Sequence, residues 1–270
     1  MFYAALEIAE PLVFAGDTMP LKTSKQKTEK TRLDILLLER GLAETRQKAQ
    51  AMLLAGEVRV NGQRADKAGA RVSVDALVEV VGERPRYASR GGIKLEGALQ
   101  DFGVSAIGKV CLDVGSSTGG FTDCLLQNGA ARVYALDVSP EQLAWKLQQD
   151  ARVIQIHRNA REVSRDDLPE SPQLITIDVS FISVTKVLPA VASVAGPGAE
   201  FLILVKPQFE LDRGDVGKGG VVRDARLHER AVERVRAAAL AVGLTVEGVR
   251  ASQLTGAEGN QEFFVYARRS

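Results

Sequence analysis

Five short apolar runs, VCLDV (110–114), VYALDV (133–138), RVIQI (152–156), LITIDV (174–179) and FLILV (201–205), are separated by helix-length segments. Strands that alternate with helical stretches cannot be joined as hairpins, so the runs predict a mostly parallel, doubly wound α/β sheet covered by helices on both faces. Segments near Val246 and from Glu262 to Tyr266 would complete it. The region ahead of this pattern reads differently. LDILLLERG makes a short apolar helix closed by Gly41, and Thr45 caps a second helix, TRQKAQAMLLAG, closed by Gly56. VRVNGQ alternates around Asn61-Gly62, a strong hairpin signal, and strand-like runs follow around Val72 and from Val78 to Val81.

The expected organisation is therefore a flexible extension over 1–30, a small α+β unit over 31–86, a linker over 87–92 (YASRGG) and the α/β domain over 93–270, opening with a helix from Ile93 to Phe102. Residues 22–32 (KTSKQKTEKTR) lack an apolar period and read as a solvated arm. Trp145 reads as a packing residue on a helix.

The totals exclude several classes. A net charge of +1 confines any nucleic-acid surface to a local patch, and residues 1–90 carry 15 Lys+Arg against 12 Asp+Glu. Two cysteines, Cys111 and Cys124, and two histidines are too few for a disulfide framework or a zinc centre, so no metal is expected. No run reaches the ~18 to 20 apolar residues of a spanning helix, and the opening segment lacks the basic start of a secretory signal, which predicts a cytoplasmic protein.

The ligand chemistry is concentrated after the first strand. In DVGSSTGG, Asp113 leads a loop whose Gly115, Gly119 and Gly120 let a ligand approach bare backbone, with Ser116, Ser117, Thr118 and Phe121 beside it. Neither the dinucleotide G-x-G-x-x-G nor a P-loop Gly-Lys-Ser/Thr is present. Asp137 ends the second strand, where a carboxylate can accept from both hydroxyls of a ribose. Together these suit S-adenosylmethionine. Asn159 falls either in an adenine-contacting loop or in a structural Asx turn.

Taken together, SRGGIKLEGAL, LDVGSSTGGFTDCLLQNGA, TIDVSFIS, LVKPQFE, GKGGVVRD and GNQEFF resemble the TlyA-type ribosomal RNA methyltransferases, historically labelled haemolysins. RLDILLLERGLAETRQKAQAMLLAGEVRVNG resembles the S4-like RNA-binding domain. The catalytic part resembles FtsJ-type ribose methyltransferases, whose Lys-Asp-Lys-Glu tetrad carries over as Lys94, Asp178, Lys206 and Glu262. The resemblance implies 2′-O-methylation of a cytidine ribose in small- or large-subunit rRNA, with S-adenosyl-L-methionine as cofactor and ribosomal subunits as partner. A different RNA substrate, a non-catalytic assembly factor and membrane lysis are the competing readings.

The residue chemistry agrees. Asp178 and Lys206 stand at strand ends, the edge where open α/β sheets bind ligands. Lys206 is expected as the base: it must be neutral to take the proton of a ribose hydroxyl, a state that nearby positive charge favours and flanking carboxylates oppose. Asp178 and Glu262 would orient the two ammonium groups, and Lys94 would hold the nucleotide or its developing oxyanion. The DVSF sequence replaces the Asn/Asp-Pro-Pro-aromatic tetrapeptide of amino-group methyltransferases. For RNA contact the candidates are Arg32, Arg46, Lys48, Arg59, Asn61, Arg90 and Lys218, with interleaved acids leaving a simply solvated face as the alternative. The Gly-rich segment 210–224 is too long for an ordinary connection and is a candidate for closing over a substrate.

Overall fold

A computed structural model describes residues 29–43, 45–81, 85–217, 219–256 and 259–270. Residues 1–28 of the extension expected over 1–30, and Lys218, lie outside the described residues. Contacts divide the chain into two compact units, split between Gly82 and Glu83.

In the first unit, helix α1 (Leu33–Glu39) and helix α2 (Arg46–Ala55) pack through Leu33, Leu37, Ala49, Met52 and Leu53 onto Val58. The Thr45 hydroxyl accepts the Lys48 amide at 3.1 Å, a cap whose loss costs about 1 kcal/mol. Gly56 ends α2 in the left-handed region, φ 73°. Strands β2 (Val58–Val60) and β3 (Gln63–Arg64) form the expected hairpin, turning on Asn61 and Gly62 at φ 51° and 80°. The solvated-arm expectation needs correction at its end: Lys30–Arg32 form strand β1, antiparallel to β4 (Arg71–Ser73). Polar residues suffice there because the pairing is through backbone. Strand β5 (Val78–Val80) completes the β3-β2-β5 sheet.

The second unit opens with α3 (Gly91–Phe102). Residues 87–92 are not a free linker, because Tyr87 is fully buried among Leu95, Cys124 and Leu125 and Gly91 and Gly92 already belong to α3. A Cβ on Gly92 would stand 2.3 Å from the Tyr87 ring, so the close fit requires glycine. There follow β6 (Val110–Val114), α4 (Gly120–Gln127), β7 (Arg132–Asp137), α5 (Trp145–Gln148), β8 (Val153–His157), β9 (Leu174–Ile177), α6 (Leu188–Val194) and β10 (Glu200–Val205). The chain ends with α7 (Pro207–Glu210), α8 (Ala225–Ala241), β11 (Leu244–Ala251) and β12 (Phe263–Arg269).

These strands make one seven-stranded sheet, β11-β12-β10-β9-β6-β7-β8. β6 to β10 run parallel to their neighbours, whereas β12 pairs antiparallel with β10 and β11. Alternate side chains feed two cores: Leu112, Val114 and Ile175 face α6 and α8, while Cys111, Val133 and Leu174 face α3 and α4. The chain runs outward from β6 through β7 to β8 and then returns to β9 on β6's other flank. The switch point thus lies between β6 and β9, where open sheets hold ligands.

Among the described residues no helix is long and apolar enough to cross a membrane, and no cluster of three His, Cys, Asp or Glu could hold a metal. Trp145 does not pack as expected but is 68% exposed. Its helix has only four residues, one of them (Leu147) buried.

Candidate active site

Two cavities open at the carboxyl ends of the strands. One, of about 300 Å³, is lined by Ser116, Thr118, Phe121, Lys94, Arg90 and Lys206 among others. The second, of about 420 Å³, is lined by Asp137, Asn159, Val138, Arg158 and Phe181 among others. Gly115, Ser117, Asp178 and Ser180 line both, so the two form one cleft across the switch point.

Why the glycines are there differs by position. Gly115, at φ 84°, lets β6 turn sharply, and a Cβ on it would lie 2.4 Å from the Asp178 carbonyl. Glycine at 115 is therefore what brings the loop after β6 against the loop after β9. Gly119, expected to admit a ligand, lines neither cavity. A Cβ there would meet Leu147 and Leu143, so its bareness serves packing.

Asp113 is also corrected: it is fully buried and lines neither cavity. The period of two along β6 sends its carboxyl to the α4 face with Cys111, where the Thr122 and Thr176 hydroxyls donate to it at 2.6 and 3.2 Å. Burial pushes this carboxyl up to about 7, with the Asp178 charge adding to the rise and the two threonines opposing it. Its carboxyl instead ties β6 to α4 and to β9.

Asp137 accepts the Ser117 amide on Oδ2 and the Ser139 amide on Oδ1, both at 2.9 Å. The carboxylate is thereby fixed at the rim of the second cavity. Asn159 forms the Asx turn, its Oδ1 accepting the Arg161 amide at 3.1 Å, and the residue lines the same cavity as Asp137.

Two ion pairs stand beside the first cavity. The Lys206 ammonium pairs with the Asp178 carboxylate and donates to the Ser180 hydroxyl at 2.8 Å. Lys94, on the first turns of α3, pairs with Glu262 at 2.5 Å. The Glu262 side chain is 2% exposed and the two lysines 11% each, so each ammonium has lost most of its water and faces a carboxylate instead. Gly256 makes room for this, since a Cβ there would lie 2.1 Å from Glu262 Oε1. Residues 94, 178 and 206 come from three separate elements or their flanks and line the first cavity, while Glu262 stands buried behind Lys94.

Phe181 was missed by sequence reasoning. It is 93% exposed, sits at φ 64° and leans on Phe209 with ring centroids 5.4 Å apart. A bulky residue in the left-handed region is strained and persists only where its surroundings hold it. An aromatic at the fourth position of DVSF was the one signal available.

The RNA candidates of the first unit sort themselves by contact. Arg32 and Arg46 both donate to Asp34, a fully buried carboxylate that also accepts from Gln50 at 3.2 Å. The Arg32 hydrogen bonds, chiefly, hold the Asp34 carboxyl well below the usual carboxylate range against its burial. The two arginine side chains remain 41% and 55% exposed while Asp34 holds them. Lys48 and Arg59 are exposed. The Asn61 side chain is taken up by the fold, accepting the Leu77 amide at 2.9 Å. Arg90 belongs to the second unit and lines its first cavity.

The segment 210–224 is tethered at its end, where Asn260, 2% exposed, accepts the Val222 amide at 3.0 Å and donates to the Gly220 carbonyl at 2.9 Å.

Comparison with known proteins matches residues 87–269 to the FtsJ-like methyltransferase family and residues 31–78 to the S4 domain. The chain is 48% identical to a Bacillus subtilis protein provisionally named rRNA methyltransferase YqxC, over 88% of this chain and 86% of that one. It is 44% identical to the 16S/23S rRNA (cytidine-2′-O)-methyltransferase TlyA of Mycobacterium tuberculosis, over 88% and 90%. A solved structure from Streptococcus thermophilus, provisionally assigned as a hemolysin, is 42% identical with a TM-score of 0.69 and 90% coverage of both chains.

Proposed function

Because the chain belongs to the FtsJ-like methyltransferase family and carries an S4 domain ahead of it, we propose that it methylates the ribose 2′-hydroxyl of a cytidine in ribosomal RNA. The observation that carries this reading is the pair of desolvated ion pairs, Lys206–Asp178 and Lys94–Glu262, beside the first cavity of a cleft whose second cavity holds the fixed Asp137 carboxylate. Ribosomal subunits are then the partner, and the cytoplasm is where they are met.

The cleft fits S-adenosylmethionine. Asp137, fixed by two amides with lone pairs left over, suits the ribose hydroxyls, and Asn159 and Val138 border the place of the adenine. Gly115, Ser116, Ser117, Thr118, Gly120 and Phe121 offer bare backbone and hydroxyls to the methionine part. When bound, the group supplies an electrophilic methyl on a sulfonium.

The chain's own residues do the rest. Lys206, in its neutral form, accepts the proton of the ribose hydroxyl at Nζ. Asp178 and the Ser180 hydroxyl aim that nitrogen. Lys94, held by Glu262, faces the oxygen as negative charge grows on it, and a desolvated ammonium is worth more there than in water. Phe181, in the lining of the second cavity with its ring almost wholly exposed, offers a platform for the target base, and Arg32, Arg46, Lys48 and Arg59 engage phosphates.

The test separates binding from transfer. Asp137→Ala should weaken cofactor binding about tenfold or more, as loss of charge-assisted hydrogen bonds implies. Lys206→Ala should leave that affinity within about twofold and lower transfer by ~10²- to 10⁴-fold. Transfer retained in Lys206→Ala removes the assignment of the base.

A further inference from the structure

One of the buried titratable groups that the mechanism above leaves unused joins two stretches of the site. Glu210, the last residue of α7, is 2% exposed, and its carboxylate points into the loop that follows β9. The Ser183 hydroxyl donates to its Oε2 at 2.5 Å and the Val184 amide to its Oε1 at 2.8 Å. Its own carbonyl accepts from Arg234 of α8 at 2.7 Å, which fixes where the side chain starts. One residue earlier, Phe209 holds Phe181.

These contacts join the two stretches that carry the reacting groups. Lys206 lies immediately ahead of α7, and Asp178, Ser180 and Phe181 lie in the loop that Ser183 and Val184 close. Without a clasp, nothing in that loop's own backbone would keep Phe181 at φ 64°, since a non-glycine residue there relaxes to extended or right-handed backbone.

Building on the proposed 2′-O-methyl transfer, we propose that Glu210 is a positioning residue. Its carboxylate clasps the 178–184 loop to the Lys206–Glu210 segment, and so fixes Ser180 and Asp178 against the Lys206 amine and Phe181 against the target nucleotide. Glu210 touches no substrate and moves no proton. Burial raises its carboxyl above the ordinary value, with the Ser183 and Val184 bonds opposing that rise. A charged acid would be an expensive choice for mere packing, whereas an acceptor of two convergent donors has a use for both oxygens.

Glutamine should replace it. The Gln amide oxygen can accept the Val184 amide, and its NH2 can donate to Ser183 Oγ once that hydroxyl turns its proton to Thr185 Oγ1, 2.7 Å away. Alanine can do neither.

The experiment compares full-length native protein, Glu210→Gln and Glu210→Ala in two measurements. The first is hydrogen exchange at the Val184 amide without substrate. The second is the single-turnover rate of methyl transfer to ribosomal subunits per cofactor-loaded protein, which is blind to any unfolded fraction. Glu210→Ala should exchange Val184 at least about tenfold faster and lose roughly ten- to a hundredfold in single-turnover rate, the scale set by an ångström of misplacement. Glu210→Gln should restore both to within about threefold. Unchanged Val184 exchange in Glu210→Ala overturns the clasp. An unchanged rate per loaded protein, or a rate that Gln fails to rescue, reduces Glu210 to a structural residue and overturns the positioning role. Failure of the native protein to transfer methyl at all refutes the proposed function instead, and the exchange measurement still decides the clasp.

Discussion

Replacing Asp113 by Asn should change how the stability of the second unit depends on pH. The carboxyl lies at about 7 in the fold, chiefly because it is buried, against ~3.9 in an unfolded chain. Between about pH 4 and 7 the folded state therefore binds more protons than the unfolded one, and unfolding free energy falls as pH rises through that window. Stability from this group is fully present below pH 4 and lost above 7. A rise of roughly 3 in pKa corresponds to roughly 4 kcal/mol. Asparagine cannot ionise, and it keeps an oxygen for one threonine and offers its NH2 to the other, so it fits where the carboxyl sat. The stability of the native protein relative to Asp113→Asn should drop by up to roughly 4 kcal/mol between pH 4 and pH 8. Urea unfolding followed by the fluorescence of Trp145, the sole tryptophan and part of the second unit, reads that difference. A difference that stays flat from pH 4 to 8 would refute the reasoning, because it would mean the buried carboxyl ionises as easily folded as unfolded.

Three further outcomes are expected. Gly115→Ala combines a left-handed φ with a Cβ 2.4 Å from the Asp178 carbonyl, so it should cost about 1 to 3 kcal/mol and weaken cofactor binding, read by thermal denaturation and by titration. Phe181→Ala removes an exposed ring, so the melting midpoint should barely move, while transfer to subunits should fall about tenfold if a base stacks there, as ~1 to 3 kcal/mol per stacked base implies. Neutralising Arg46 and Lys48 together should lower RNA affinity and flatten its dependence on salt by roughly two phosphate contacts, measured by titration from low to moderate ionic strength.

What the sequence made legible was local or periodic. Thr45, Gly56 and Asn61-Gly62 each act through a few neighbouring residues, and each does in the structure what its type dictates. The sheet followed from alternation along the chain, although only pairing could reveal that β12 enters antiparallel between β10 and β11. Asp113 was misread because four of the five residues of β6 are buried, so neither face is marked polar and the direction of its side chain is invisible. Gly119 was misread because a bare Cα serves packing as well as ligands, and only the positions of Leu143 and Leu147 decide. The Lys94–Glu262 pair spans 168 residues, and its partners could be named from a motif but not joined. Phe181 and Glu210 escaped notice because their meaning lies in a strained backbone and a long-range clasp, which no residue type announces.

The central claim is a base-assisted transfer to a ribose oxygen. Its most direct test gives labelled S-adenosylmethionine and purified ribosomal subunits to the native protein and to Lys206→Ala, then locates the label by nuclease digestion and mass analysis. The account predicts label on a cytidine 2′-oxygen with the native protein and a rate of labelling ~10²- to 10⁴-fold lower with the variant. Label on a base, or equal label with both proteins, would contradict it.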